Sequence, residues 1–199
     1  MDVLEALVSR RSIGRLTGEV DPALVEQLIA YAVWAPNHHL TQPWRFTLLH
    51  GAMRAELGRL WAHLSADERG LSGEARAEWV AREAARPLRA PLLIVVSCPV
   101  DPDPVRAAED HSATAAAVQN FLLAAWAKGL GTIWRTGAMA YHPQVKRFLG
   151  LDPTDRIVAI LYVGQPAAPP PPPRPRDLGR AIRWLNPPES APEGADPPQ

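Results

Sequence analysis

The sequence predicts an α+β fold, a layered arrangement in which a central mixed sheet is covered by helices. Three observations carry that prediction. Strand-length apolar runs at 45–49, 91–98 and 157–163 are separated by helical patterns rather than following one another. The run at 91–98 is apolar without alternation, as expected for a strand buried on both faces. The helical pattern at 107–128 is lined with alanines and with Val118, Phe121, Leu122, Leu123 and Trp126, so it belongs in a core or between subunits. The pattern amounts to about seven helices and about four or five strands.

Each element has a local reason. Residues 2–9 place Val3, Leu4, Leu7 and Val8 on one helical face, and Gly14 and Gly18 mark the loop that follows. Asp21-Pro22 supplies a capping oxygen and then a proline at the first helical position. The helix so started carries Leu24, Val25, Leu28, Ile29, Ala32 and Val33 and is closed by Pro36. The segment 34–46 then passes His38, His39, Gln42, Pro43 and Trp44 into a strand that Gly51 ends. Its two prolines restrict the backbone and push the residues before them away from helix. Residues 52–64 and 72–86 read as a charged, exposed helical excursion joined by 65–73. After strand 91–98, residues 99–104 read as a proline-rich loop before the long helix, with Lys128 and Gly129 at its end. A strand at 132–136, a short helix from His142-Pro143 to Leu149 and a last strand at 157–163, ended by Gly164, complete the order. These elements define a domain over 1–166. Residues 167–199 form a Pro-rich tail: 169–173 is an extended proline run, 178–185 a short ordered element anchored by Trp184, and 187–199 disordered.

Composition excludes several classes. Lys+Arg and Asp+Glu both number 21, so no global basic field favours nucleic acid or acidic lipid. The single cysteine, Cys98, forbids an intrachain disulfide and reads as a buried strand thiol. With no signal-like or membrane-length apolar stretch, the expected location is cytoplasmic.

Three clusters could carry chemistry. Arg10, Arg11 and Ser12 offer two guanidiniums and a hydroxyl at a helix end, suited to a phosphate or to the helix dipole. The loop at 34–46 gathers His38, Gln42 and Trp44, the last as a core residue. Adjacent histidines cannot chelate like a helical i, i+4 pair, and no cysteine cluster supports a metal, so none is expected. The segment 129–137 sets Trp134, Arg135 and Thr136 on a strand between glycines, without the spacing of a phosphate-binding P-loop or a dinucleotide fingerprint. A buried Arg135 there would need an anion or a carboxylate. No serine nucleophile elbow or paired-carboxylate arrangement is present, which points to chemistry supplied by a cofactor.

Taken together these residues resemble the flavin-dependent nitroreductase family. The marks are Arg10-Arg11-Ser12, Ala35-Pro36 followed by Gln42-Pro43-Trp44-Arg45-Phe46, the helix leading into Gly129-Leu130-Gly131, and the last strand ending Gly164-Gln165-Pro166. They run in the family's order over 1–166. Trp134-Arg135-Thr136-Gly137 and His38 are similar to the small, single-domain branch of bacterial NAD(P)H nitroreductases. The resemblance implies a homodimer with FMN at the subunit interface and NADH or NADPH as donor. Hydride would pass via flavin N5 to a nitroaromatic, a quinone or a similar conjugated acceptor. Arg10, Arg11 and Ser12 would hold the phosphate and ribityl chain; Trp34, His38 and Gln42 would line the site, Trp34 and His38 from the other subunit; Trp134, Arg135 and Thr136 would run beside the ring. Leu123, Ala124, Ala125, Trp126, Ala127 and Lys128 match the stretch assigned to nicotinamide nucleotide in that branch. Leu40 stands where the commoner pattern has Asn, and Arg180 or Arg183 is the candidate for the basic residue the family supplies near its C-terminus. The resemblance also admits same-fold outcomes, namely dehalogenation, flavin reduction or flavin breakdown. A non-catalytic flavin-binding dimer that recruits a partner through its Pro-rich tail is the other alternative.

Overall fold

A computed structural model describes residues 1–179 and 181–185. The expected disorder of 187–199 and the candidate Arg180 fall outside those residues. The order is α1 (Val3–Ser9), β1 (Leu16–Thr17), α2 (Pro22–Ala32), β2 (Arg45–His50), α3 (Ala52–Glu68), α4 (Gly73–Ala84), β3 (Leu92–Cys98), α5 (Pro104–Ala127), β4 (Gly131–Arg135), α6 (Pro143–Phe148) and β5 (Arg156–Pro166). Short 3-10 turns occupy His38–Leu40, Arg86–Arg89 and Ala138–Tyr141. No helix among the described residues is long and apolar enough to cross a membrane.

The sheet is built on β5, which pairs antiparallel with β3, β4 and β1, while β2 pairs antiparallel with β3. Its parallel component is one isolated bridge, Ser12 with Thr132. Successive side chains alternate between faces, and both faces of β3 and β5 are covered. Leu93, Val95, Ile160 and Tyr162 pack under α3 and α6 with Leu57, Trp61 and Val145. Leu92, Ile94, Val96, Leu161 and Val163 pack under α2 and α5 with Leu28, Val118 and Phe121. The three layers follow from the uninterrupted apolar run of β3, all seven residues of which are buried. Cys98 closes that run, and burial pushes its thiol up from its ordinary value.

Several boundaries move, each for a physical reason. The Asp-Pro start of α2 recurs at Asp103-Pro104. Asp103 accepts from Val105 N at 2.9 Å, so α5 begins inside the segment expected to be loop. α3 runs to Glu68 rather than ending at 64, and Trp79 Nε1 donates to its Ser65 Oγ at 2.8 Å, tying α4 back onto it. Gly164 does not stop β5. A Cβ there would come 2.6 Å from Pro91 Cδ, so the glycine permits a close approach within a strand that continues to Pro166. Trp184 is 64 % exposed and anchors nothing within the described residues; in place of a short ordered element, the described residues there show Ala181 N donating to Leu178 O at 2.9 Å and Ile182 N donating to the same oxygen at 3.2 Å.

Candidate functional site

The first half of the site is an open strand edge. Ile13 N donates to Thr132 O at 2.9 Å, so the chain leaving α1 is stitched to the edge of β4 that β5 does not use. Backbone groups of a strand point to alternate edges. Because Thr132 faces this edge, Trp134 and then Thr136 face it too, beyond the point where residues 12–13 cover it. Gly131 makes the approach possible: a Cβ there would lie 2.7 Å from Leu16 Cδ2 and 3.2 Å from Ile13 Cβ. Thr132 Oγ1 is buried on the same strand without a hydrogen-bond partner. Trp134 keeps its ring 37 % exposed while Nε1 donates to Val158 O at 3.1 Å.

Positive charge collects at one end of this edge. Ser9 Oγ accepts from Trp126 Nε1 at 2.8 Å, fixing the end of α1 against the end of α5. Arg10 follows, half-buried, its guanidinium pushed down by burial and then by Arg11 and Arg176. Arg11 donates from Nη1 to Val8 O at 2.8 Å and Arg10 O at 2.6 Å, closing the helix end, and from Nε to Pro172 O at 3.4 Å. Ala167 N donates to Arg15 O at 3.1 Å, so the proline run starts against the strand edge and returns Arg176 to Arg10. No carboxylate lies within ion-pair distance of these three arginines among the described residues. Three guanidiniums without a counter-charge make an anion-binding end. Arg176 was not legible as a member: the sequence pointed to Arg180 and Arg183, and only the path of the proline run singles out the earlier arginine. Arg183 is exposed.

The second half is the loop after α2. His39, Leu40 and Gln42 all take left-handed backbone angles, φ 55°, 52° and 45°. Such angles in non-glycine residues cost of order 1–3 kcal/mol each and persist only where surroundings impose them. Here Thr41 Oγ1 donates to Asp110 Oδ1 at 2.6 Å, Gln42 N donates to Asn37 Oδ1 at 3.0 Å, and His38 Nδ1 pairs with Glu109 Oε2 at 2.8 Å. His38 also stacks on His39, ring centroids 3.9 Å apart. Trp44 is buried with Ala35, Ala113 and Ala117, which roots the loop in the core. Trp34, by contrast, is 84 % exposed.

The structure does not bring the two halves together in one chain. The loop is fastened to α5 at residues 109 and 110, and the arginine end is fastened to the same helix at Trp126. Residues 109 and 126 are about 25 Å apart along a helix that rises 1.5 Å per residue. Arg135 also departs from expectation. It is exposed rather than buried, and its guanidinium lies over the Tyr162 ring, 5.6 Å from the centroid, toward the α3–α4 side. In the stretch 123–128, Ala125 is fully buried and Trp126 is held by Ser9, while Ala124 packs on the α2–α5 core; Leu123 is half-buried, and Ala127 and Lys128 are exposed at the helix end.

Comparison with known proteins agrees with this architecture. Residues 7–165 match the model of the Nitroreductase family. The Escherichia coli K12 protein named "Putative NAD(P)H nitroreductase YdjA" is 35 % identical over 172 residues, covering 83 % of this chain and 89 % of that protein. The crystal structure of a nitroreductase-like family protein from Bacillus cereus superposes with a TM-score of 0.81 at 32 % identity, covering 94 % of this chain and 97 % of that one. A putative nitroreductase from Desulfovibrio desulfuricans, solved in complex with FMN, gives a TM-score of 0.69 at 27 % identity over 94 % of this chain and 98 % of that one. With a family model matching residues 7–165 and a relative 35 % identical over 83 % of this chain, the chain belongs to the nitroreductase family.

Proposed function

We propose that the chain is an FMN-dependent oxidoreductase working between NADH or NADPH and a nitroaromatic, quinone or similar conjugated acceptor. The observation that carries this is the carboxylate-free group of Arg10, Arg11 and Arg176 at one end of an open β4 edge, in a chain of this family. The residues present fit FMN. The arginines suit its phosphate, and the unused backbone groups of Trp134 and Thr136 suit a planar ring laid along the edge beyond the Ser12–Thr132 bridge. Beyond that bridge, from Ile133 to Thr136, the edge is about 10 Å long at about 3.3 Å per residue, the length scale of a planar ring system. When bound, FMN supplies the two-electron chemistry that no side chain here provides.

The chain's own residues do the positioning. Arg10 and Arg176 neutralise the phosphate, with Ser12 as a hydroxyl partner; Arg11 holds the helix end and the proline run in place. The β4 backbone orients the ring. Arg135, turned toward the α3–α4 side, places positive charge where the acceptor arrives. Trp34, His38 and Gln42 complete the site in a homodimer. A two-fold axis across α5 would set the loop end of one subunit beside the arginine end of the other, and the exposed Trp34, Leu40 and Val105 at the loop end supply apolar area for that contact. Residues 1–166 form the catalytic domain in this reading, and 167–199 a tail whose first part serves the anion end. A single cysteine and neutral net charge suit a cytoplasmic enzyme.

The test is an absorbance spectrum of the purified protein before and after NADH or NADPH. The expected protein is yellow and bleaches with either donor. Colourless protein that takes up no added FMN would overturn the reading.

A further inference from the structure

Beneath α3 and α4, on the sheet face away from α5, lies a cavity of about 270 Å³ that meets the cofactor edge only at the end of β4 and does not reach the loop after α2. Its rings are Trp61, Trp79 and Tyr162, and its charges are Arg69, Arg86, Arg89 and Arg135 against Glu68 and Glu83. Glu83 is buried and already taken, by Arg86 Nε at 2.8 Å and Arg82 Nε at 3.5 Å. Arg69 lies over the Trp79 ring, 4.1 Å from its centroid. Arg89 and Arg135 have no carboxylate within ion-pair distance among the described residues. Burial pushes the Tyr162 phenol up, and Arg135, Arg89 and Arg86, which line the same cavity, each pull it back.

We propose that this cavity seats a small planar aromatic carboxylate. Its acid group sits among Arg86, Arg89 and Arg135 beside the Tyr162 hydroxyl, and its ring lies against Trp61 and Trp79. Guanidinium forks recognise carboxylates in bidentate fashion, and surplus positive charge between low-dielectric walls concentrates anions. The aromatic walls favour a flat ring over a free inorganic anion. The volume lies at the small end of ligand pockets, which suits one ring and excludes a dinucleotide. The cavity shares Arg135, Thr136 and Gly137 with the end of β4. Its use as the acceptor's seat rests on the flavin reading; the binding itself does not.

The experiment is calorimetric titration of the purified protein, as isolated, with 4-nitrobenzoate and with uncharged nitrobenzene. The expected result is at least about tenfold tighter binding of the acid, as charge-assisted hydrogen bonds provide. Arg89→Gln and Arg135→Gln should each reduce that preference severalfold without weakening nitrobenzene. Arg147→Gln, which removes an exposed positive charge on α6, should change neither. Equal affinity for the two probes, or a preference intact in both pocket variants, would overturn the proposal. Protein that holds no FMN would remove the flavin reading while leaving this result valid.

Discussion

The two halves of the candidate site are made by opposite means. The β4 edge is fixed by backbone register: Ile13 on Thr132, Gly131 against Leu16, β4 along β5. The loop after α2 is fixed by side chains that hold three residues in left-handed backbone angles, with Thr41, Asn37 and His38 as the ties. A register is shared with the core, so it cannot be disturbed without disturbing the fold. A loop tied by three polar bonds can be loosened alone. Cofactor retention should therefore track the first half, and assembly of the complete site the second.

The largest effect is expected where register and packing coincide. Gly131→Val would press a branched side chain on Leu16 and Ile13 and should cost about 3 kcal/mol by thermal unfolding, as overpacked sites do. A melting temperature close to wild type would break the claim that the edge is part of the core. Next is Arg10→Ala, which should weaken FMN binding by about 2 kcal/mol, roughly thirtyfold, since a charge-assisted contact is lost. Lys128→Ala should change it far less, and equal losses in the two variants would remove Arg10 from the anion end.

On the loop side, Thr41→Val removes the hydroxyl that Asp110 accepts from and leaves that buried carboxylate one bond short. It should cost about 1 kcal/mol of stability and weaken dimerisation, read by sedimentation, while FMN affinity per folded subunit falls less than in Arg10→Ala. The smallest effect lies beneath the loop. Burial, and then Arg156, hold His111 below its ordinary value. The unfolded chain then takes up a proton that the folded chain resists, so stability is lost as pH falls below about 6.5 and the loss grows until the folded-state value is passed. His111→Gln should flatten the fall in melting temperature between about pH 7.5 and about pH 5.5; an unchanged slope would assign it to other groups.

Much of this was legible in the chain because local chemistry dictated it. The apolar run of β3, the Asp-Pro start of α2 and the Ala-rich face of α5 each specify an element without reference to distant residues. Where a boundary moved, a long-range contact had overridden a local signal: Gly164 looked like a strand end until Pro91 was seen to need its space. Arg10, Arg11 and Ser12 were legible as a cluster, but the absence of a counter-charge and the return of Arg176 depend on the path of the tail. The α3–α4 cavity was not legible at all. Trp61, Trp79, Arg89 and Arg135 lie far apart in sequence, and two of them, Trp61 and Trp79, sit in what read as a charged excursion. Nor could sequence show that the loop and the arginine end lie at opposite ends of α5.

The burial of Cys98 has a practical reach of its own. One thiol, closed inside the central strand and held in its unreactive form, can meet an alkylating reagent only when β3 separates from its neighbours. The labelling rate of the unmodified protein therefore reports how often the sheet opens. Measured with and without cofactor, it would give the stabilisation that the ligand confers without any engineered probe.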